Sequence, residues 1–174
     1  MRCFLVLAVI ALSPSAGRAE NTLFVAGGPL LGASIHDGPN GLLIGGELSA
    51  GWLHLSKDTE NPPPPFWLGA YADGLYDSGP EAGRVSFGPE LGFFIFGLDA
   101  GVVHDLGGTG RWGYSGRWSL SIPVSWTDRS KHPKLTTITT LSIYVRGVTW
   151  RDGSPGHAEL GLLVKWALPA LAGG

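Results

Sequence analysis

The sequence predicts an all-β fold, an eight-stranded antiparallel up-and-down transmembrane β-barrel preceded by a cleaved signal peptide. Residues 112–127 carry apolar and aromatic side chains at even positions and small or polar ones at odd positions. This period of two indicates a strand, and its length exceeds the roughly 3–10 residues of an ordinary strand. The chain is also only 15% charged, with 28 glycines among 174 residues, whereas soluble domains are about 25% charged. Both observations favour a barrel with a lipid-facing side and a polar lumen.

The N-terminal residues have the organisation of a secretory signal peptide. Residues 4–12 form an apolar core that is too short to cross a bilayer as a helix, and small residues precede a cleavage point after Ala19. We therefore predict a signal peptide over residues 1–19 and an outer-membrane β-barrel domain over residues 20–174. The predicted location is the bacterial outer membrane.

The charge balance and the cysteine content restrict the possible partners and sites. The formal net charge is −2, and Arg2 and Arg18 belong to the predicted leader, so the mature domain is more acidic still. An acidic domain gives no reason to expect a nucleic-acid partner. The one cysteine, Cys3, also lies in the leader. The mature domain is therefore expected to have no disulfide and no thiolate metal site.

Alternation and turn signals divide the first half of the domain into four strands. The predicted strands are 22–36, 42–55, 66–76 and 85–95. The first ends at the turn sequence Asp37-Gly38-Pro39-Asn40-Gly41. The second precedes a polar loop that ends in four prolines, residues 62–65, which cannot donate ladder hydrogen bonds. Residues 77–84 are predicted to be the loop between the third and fourth strands.

The second half of the domain contains four more strands by the same test. The predicted strands are 98–106, 112–127, 136–149 and 157–168. A tight reversal at Phe96-Gly97 precedes the fifth strand, and residues 107–111 form the turn into the sixth. Residues 128–134 are a charged loop, and residues 151–156 form the last turn. An even number of antiparallel strands closes without a free edge, and eight strands leave an interior that side chains can fill.

Nearly every charge within a predicted strand falls on the parity that faces the lumen. The predicted lumen residues are Glu47, Asp73, Glu90, Asp99, Arg117, Arg146, Glu159 and Lys165. Buried charges must be paired, so we expect a network in which the arginines bind carboxylates of neighbouring strands. We interpret this network as a plug that fills a narrow barrel. A proton or ion path, or a catalytic carboxylate pair, is the alternative interpretation.

Aromatic residues gather near the predicted strand ends. The predicted girdle residues are Trp52, Tyr76, Trp112, Tyr114, Trp126 and Trp166. With a periplasmic N-terminus, the tryptophans at 52, 126 and 166 lie at the periplasmic ends of their strands, and the other three lie at the extracellular level. Amphipathic aromatic rings favour the two membrane–water interfaces, so the predicted partner of the outer face is outer-membrane lipid.

The last strand carries the most specific motif. Residues 159–166 present a polar residue, a glycine two positions later, and apolar or aromatic residues three and five positions after that glycine. Because of this motif and its eight predicted strands, the chain resembles small bacterial outer-membrane β-barrel proteins of the OmpA transmembrane-domain, OmpX and OmpW-like kinds. The resemblance implies an assembly signal that the barrel-assembly machinery recognises during biogenesis. The residues of this signal are Glu159, Gly161, Val164 and Trp166. Eight residues follow the terminal aromatic, whereas many family members end on it.

Catalytic, cofactor and metal sites are not predicted. The histidines are His36, His54, His104, His132 and His157. None is spaced with another as a zinc pair on one strand or helix, and they are interpreted as solvated or interfacial. His54-Leu55-Ser56 has the His-x-Ser spacing of lipid A deacylases, but no acid partner is indicated.

We therefore expect a non-enzymatic barrel with a structural or interaction role in the cell envelope. A deacylase-like enzyme of the outer membrane and a secreted, soluble lipocalin-like barrel that binds a ligand are the alternatives. The specific ligand or partner and the oligomeric state stay open at this point.

Overall fold

The computed structural model describes residues 19–56, 64–107, 110–126 and 138–169. The elements of this part are all strands: β1 Ala19–Ile35, β2 Gly41–Ser56, β3 Phe66–Asp77, β4 Ala82–Phe93, β5 Phe96–Asp105, β6 Trp112–Trp126, β7 Ile138–Trp150 and β8 His157–Pro169. Consecutive strands pair in antiparallel fashion and β8 pairs with β1, so the sheet closes. The predicted eight-stranded antiparallel barrel is confirmed. Residues 1–18 of the predicted signal peptide lie outside the described part.

Within these described ranges, no helix is long and apolar enough to cross a membrane. The strand ends agree with the sequence prediction to within three residues. One difference matters for the interior. The loop predicted over residues 77–84 is shorter, a turn over residues 78–81, because β3 includes Asp77 and β4 begins at Ala82, and these two residues pair with each other. Asp77 and Arg84 therefore belong to the ladder, and their buried side chains face the lumen.

Prolines interrupt the barrel's ladders in three places, because a proline has no N–H group to donate. The β1–β8 ladder passes from Gly27 directly to Leu30 around Pro29. In β6 the register with β7 shifts between Pro123 and Ser125, which marks a bulge. The strand predicted over residues 112–127 is one continuous strand over its described residues 112–126, with this bulge near its end. The third interruption lies in the β4–β5 ladder at Pro89.

The two faces of the sheet carry opposite chemistry. Large apolar side chains are exposed on the outer face of every strand, with Leu48 on β2 the most exposed at 68%. Inside, two small clusters of buried apolar residues fill part of the lumen. The first consists of Leu30, Leu75, Tyr144 and Leu163, and the second of Val103, Val148 and Trp150. Most of the remaining interior positions are polar or charged.

The two ends of the barrel differ in their connections. One end carries the turns 36–40, 78–81, 106–111 and 151–156, and we call it the short-loop end. The other end carries the connections 57–65, 94–95 and 127–137 together with the start of β1 and the end of β8. We call it the termini end. The longest connections between strands are therefore on the same side as the start of β1 and the end of β8.

Candidate functional site

Every Asp, Glu, Lys and Arg side chain that the structure describes within a strand faces the lumen. The acidic ones are Glu47, Asp73, Asp77, Glu90, Asp99, Asp105 and Glu159, and the basic ones are Arg84, Arg117, Arg146 and Lys165. The eight predicted lumen residues are all among them. The three that the sequence analysis missed are Asp77, Arg84 and Asp105. The first two were assigned to a loop, and all three lie near strand ends, where parity is hardest to assign.

Two acids and two arginines face each other across the lumen. Glu47 of β2 is the direct register partner of Asp73 of β3, and Arg117 of β6 is that of Arg146 of β7. Like charges directly opposite each other on a sheet are destabilising. The β2–β3 and β6–β7 pairs lie on opposite sides of the eight-stranded ring, and ion pairs join Arg117 to Glu47 and Arg146 to Asp73. Each like-charge pair is thereby neutralised by the other.

Five residues toward the termini end, among them the crossing pair Arg117 and Glu47, form the lower cluster: Glu47, Glu90, Asp99, Arg117 and Lys165. The guanidinium of Arg117 bonds both Glu47 and Asp99, its register partner on β5. The ammonium of Lys165 lies 2.6 Å from Glu47 Oε1 and 3.1 Å from Glu90 Oε2, and it donates to Ser49 Oγ at 3.1 Å. Each of the two basic groups therefore bridges two carboxylates.

A second group forms the upper cluster, toward the short-loop end, and consists of Asp73, Arg84, Arg146 and Glu159. Arg146 is completely buried and bonds Asp73, whose other oxygen accepts from Ser86 Oγ at 2.5 Å. Arg84 donates to Glu159 Oε1 at 2.5 Å, and Glu159 Oε2 lies 3.8 Å from Arg146. The upper cluster spans the lumen from β3 and β4 to β7 and β8.

Tyrosine rings lie close to the arginines of both clusters. The Arg117 guanidinium lies 5.0 Å from the centre of the Tyr71 ring, and Arg117 and Arg146 lie 5.7 Å and 5.8 Å from the centre of the Tyr144 ring. A side chain at Gly161 would overlap Tyr144. The Tyr71 hydroxyl lies within 2.3 Å of where a Cβ at Gly101 would stand. These two glycines therefore make room for the tyrosine side chains.

The lumen opens into a cavity on the termini side of the lower cluster. Its volume is about 240 Å³. Its polar lining includes the four lower-cluster residues Glu90, Asp99, Arg117 and Lys165. Its apolar lining includes Phe24, Leu53, Trp67, Ile138 and Leu163. The lower cluster therefore forms part of the boundary of a small, mostly apolar chamber.

Two histidines and an aspartate meet at the short-loop end, and we call them the rim triad: His36, Asp77 and His157. His36 Nε2 lies 2.9 Å from Asp77 Oδ2, and the two imidazole rings are 4.5 Å apart between centroids. His157 is only 9% exposed, so its interpretation as a solvated residue is wrong. The three residues lie on β1, β3 and β8 or next to them, and no local spacing in the sequence could have joined them.

The predicted girdle residues that the structure describes lie on the outer face, and the predicted assembly-signal residues are divided between the two faces. The girdle residues Trp52, Tyr76, Trp112, Tyr114 and Trp166 have exposed rings on the outer face, and the side chain of Trp126 lies outside the described part. In the predicted assembly signal, Glu159 and Gly161 face the lumen, whereas Val164 and Trp166 follow the outward parity. His54 is half-buried at the end of β2. The side chain of Ser56 and all of His132 fall outside the described residues, as does the predicted charged loop 128–134.

The geometry defines a class of protein: a closed eight-stranded barrel with an ion-paired interior and an apolar exterior. The chain matches no protein-family model, no curated protein and no solved structure. Its function must therefore be inferred from the chemistry of its two faces.

Proposed function

We propose that the chain is an integral outer-membrane β-barrel protein with a packed polar lumen and a structural or interaction role in the cell envelope. The observation that carries this proposal is the sorting of side chains between the faces of the sheet. The described Asp, Glu, Lys and Arg side chains of the strands point inward and are ion-paired, while the outward positions are mostly apolar. An apolar exterior of this kind is compatible with lipid as the surrounding solvent.

The apolar exterior is continuous around the barrel. In register order, one row of outward residues runs Trp52, Leu68, Leu91, Leu98, Trp118, Val145, Leu160, Ala33 and Leu42. Nearly all of these side chains are large and apolar, and the row passes through all eight strands. Soluble monomers rarely expose contiguous apolar patches larger than a few hundred Å². A belt that encircles the molecule is therefore better explained by burial in a bilayer.

The crossing ion pairs support a plug rather than a pore. Arg146 and Tyr144 are completely buried in the lumen, and the two arginines reach carboxylates on the opposite wall. An eight-stranded barrel has an interior just wide enough for side chains to fill. We expect no stable conductance when the purified barrel is inserted into a planar lipid bilayer. A large, stable conductance would instead support the ion-path interpretation.

The resemblance to the OmpA transmembrane-domain, OmpX and OmpW-like barrels belongs to the same proposal. It is supported by the closed eight-stranded topology and by the last-strand motif, whose outward Trp166 is available at the edge of the belt. We propose that the barrel-assembly machinery recognises this strand during insertion.

A soluble ligand-binding barrel is the second candidate, and the apolar-walled cavity at the termini end is the observation that favours it. A lipocalin-like protein has an apolar interior and a wet, polar exterior. In this chain the charged residues line the interior instead. For the deacylase-like alternative, His54 is half-buried at the end of β2, and the side chain of Ser56 lies outside the described residues.

Fractionation tests the proposal most directly. The full chain is expressed in a Gram-negative host, and its distribution between soluble periplasm and membranes is followed on gels run with and without heating. We expect the chain in the outer-membrane fraction, extracted only by detergent, with faster mobility before heating because the closed barrel stays folded. A deletion of residues 1–19 is the matched control and should leave the product in the cytoplasm. Recovery in the periplasm without detergent would overturn the membrane proposal and favour the soluble one.

Cysteine labelling tests the proposed orientation, in which the termini end faces the periplasm. Asp37→Cys places a thiol in an exposed turn of the short-loop end, and Pro64→Cys places one at an exposed position of the termini end. A membrane-impermeant maleimide should label Asp37→Cys on intact cells and Pro64→Cys only after lysis. The reverse pattern would invert the orientation.

A further inference from the structure

The rim triad offers three ligand atoms in a small volume. One atom each from His36, Asp77 and His157 lies within 4.8 Å of the other two. His36 follows the last residue of β1, Asp77 is the last residue of β3, and His157 is the first residue of β8. Strand ends of a closed barrel are held by pairing on both sides, so the three side chains are brought together by rigid elements.

The residue types match the preferences of a particular class of ion. Two imidazole nitrogens and one carboxylate oxygen form a ligand set that suits zinc or copper, and a catalytic zinc site commonly has three protein ligands and one open position. We propose that His36, Asp77 and His157 bind one divalent transition-metal ion, with Zn²⁺ and Cu²⁺ as the preferred ions. Ligands about 2.1 Å from a tetrahedral zinc ion lie about 3.4 Å apart. The widest pair of the rim triad therefore has to contract by about 1.4 Å to bind one.

The carboxylate of the rim triad is already oriented for this role. Asp77 Oδ1 accepts hydrogen bonds from Ser34 Oγ at 2.8 Å and from the backbone N–H of Gly79 at 3.0 Å. These two bonds hold the carboxylate and turn Oδ2 toward His36. Partners of this kind position metal ligands and raise affinity by about 10–100-fold. Ser34 is completely buried, so its bond to Asp77 is shielded from competing water.

Arg84 and Glu159 are the groups that a metal ion has to displace from His157 Nε2. Arg84 NH1 lies 2.7 Å from this nitrogen and 3.8 Å from Asp77 Oδ2, and Glu159 Oε1 lies 3.1 Å from the nitrogen. A metal bound there replaces both contacts, while Arg84 and Glu159 keep their own bond at 2.5 Å. Because Glu159 balances Arg84, the charge of Asp77 stays available for a cation. Acidic side chains also outnumber basic ones in the described lumen, even when Arg111 at the rim is counted.

The structure provides a matched control histidine. His104 lies near the short-loop end on β5, with its ring stacked on Trp112 at 4.2 Å between centroids. It belongs to the outward parity and not to the rim triad. A substitution there changes the number of histidines by the same amount as a rim substitution. It therefore separates specific binding from metal capture by any exposed imidazole.

Zinc titration of the purified, chelator-treated full barrel, without a histidine tag, tests the site. We expect saturable binding of one ZnCl₂ per barrel in isothermal titration calorimetry. His36→Gln and His157→Gln should abolish saturable binding, whereas His104→Gln should leave it unchanged. Ser34→Ala should raise the dissociation constant for zinc by about tenfold, because Asp77 loses an orienting partner. This inference does not depend on whether the barrel faces lipid or water.

Copper spectroscopy keeps the test decisive if a rim variant fails to fold, as judged by heat-modifiable mobility. One equivalent of CuCl₂ added to the unsubstituted barrel should give an electron paramagnetic resonance spectrum with hyperfine coupling to two imidazole nitrogens. Absence of saturable zinc binding, absence of nitrogen coupling, or an equal loss of binding in His104→Gln would each overturn the proposal.

Discussion

The lumen and the outer surface of the barrel are built from alternate residues of the same strands, but different interactions stabilise them. Arg117 on β6 is 3% exposed and bonded to two carboxylates, while its neighbour Trp118 is 45% exposed. The lumen is self-contained, because its charged groups find their partners within the protein. The outer surface is not, since its apolar side chains need a solvent that accepts them. The stability of the lumen is therefore set by specific pairs, and that of the exterior by the surrounding medium.

The largest expected effect comes from breaking the lumen network at its most buried charge. Arg146→Leu leaves Asp73 without its ion pair and removes a positive charge beside Glu159. Breaking a buried pair by removing one partner costs roughly 3–5 kcal/mol. We expect a loss of this size in the free energy of unfolding, measured by urea titration of the barrel in lipid vesicles.

The double variant Asp73→Leu, Arg146→Leu is the control for that prediction. It removes the acid and the base together, so it should recover part of the loss in unfolding free energy. A loss below about 1 kcal/mol in the single variant would mean that the crossing pairs do not hold the lumen together.

A charge placed on the outer surface tests the other face of the same strands. Leu48 lies in the middle of β2 and is the most exposed of the large apolar side chains. Leu48→Arg should reduce the free energy of unfolding in lipid vesicles by about 2–4 kcal/mol, as for a charge on the lipid face near the bilayer midplane. Asp37→Arg in the exposed turn 36–40 is the control and should change it by less than about 0.5 kcal/mol. An equally small effect for Leu48→Arg would indicate that the exterior faces water.

The smallest expected effect concerns the fit of a lumen side chain against a glycine. A Cβ at Gly161 would lie 2.6 Å from the Tyr144 ring and from the backbone oxygen of Leu31. Gly161→Ala should therefore cost roughly 1–3 kcal/mol through overpacking. Gly147 has open space at its Cβ position, so Gly147→Ala on β7 should be neutral or stabilising by up to about 1 kcal/mol. Equal melting temperatures for the two variants in detergent would contradict this difference.

Much of the architecture was predictable because the pleat of a strand has a period of two. Alternation predicted the number of strands, the antiparallel closure and the residues that the structure places in the lower cluster, such as Arg117 and Lys165. The loop 77–84 was predicted too long at both ends, because its glycines, proline and charges resemble a loop when no partner strand is in view. Because of that error, Asp77 and Arg84 were not predicted to face the lumen. Asp77 belongs to the rim triad, and Arg84 contacts it.

The sequence by itself determined which face of each strand a side chain occupies, because parity is a local property of an extended backbone. Only the tertiary structure decided which residues meet across the lumen. Glu47 reaches Arg117, and His36 reaches His157, because strand order and register place residues far apart in sequence at the same height of a closed ring. The physical reason is that pairing across a barrel depends on the stagger of all eight strands together, which no single segment encodes.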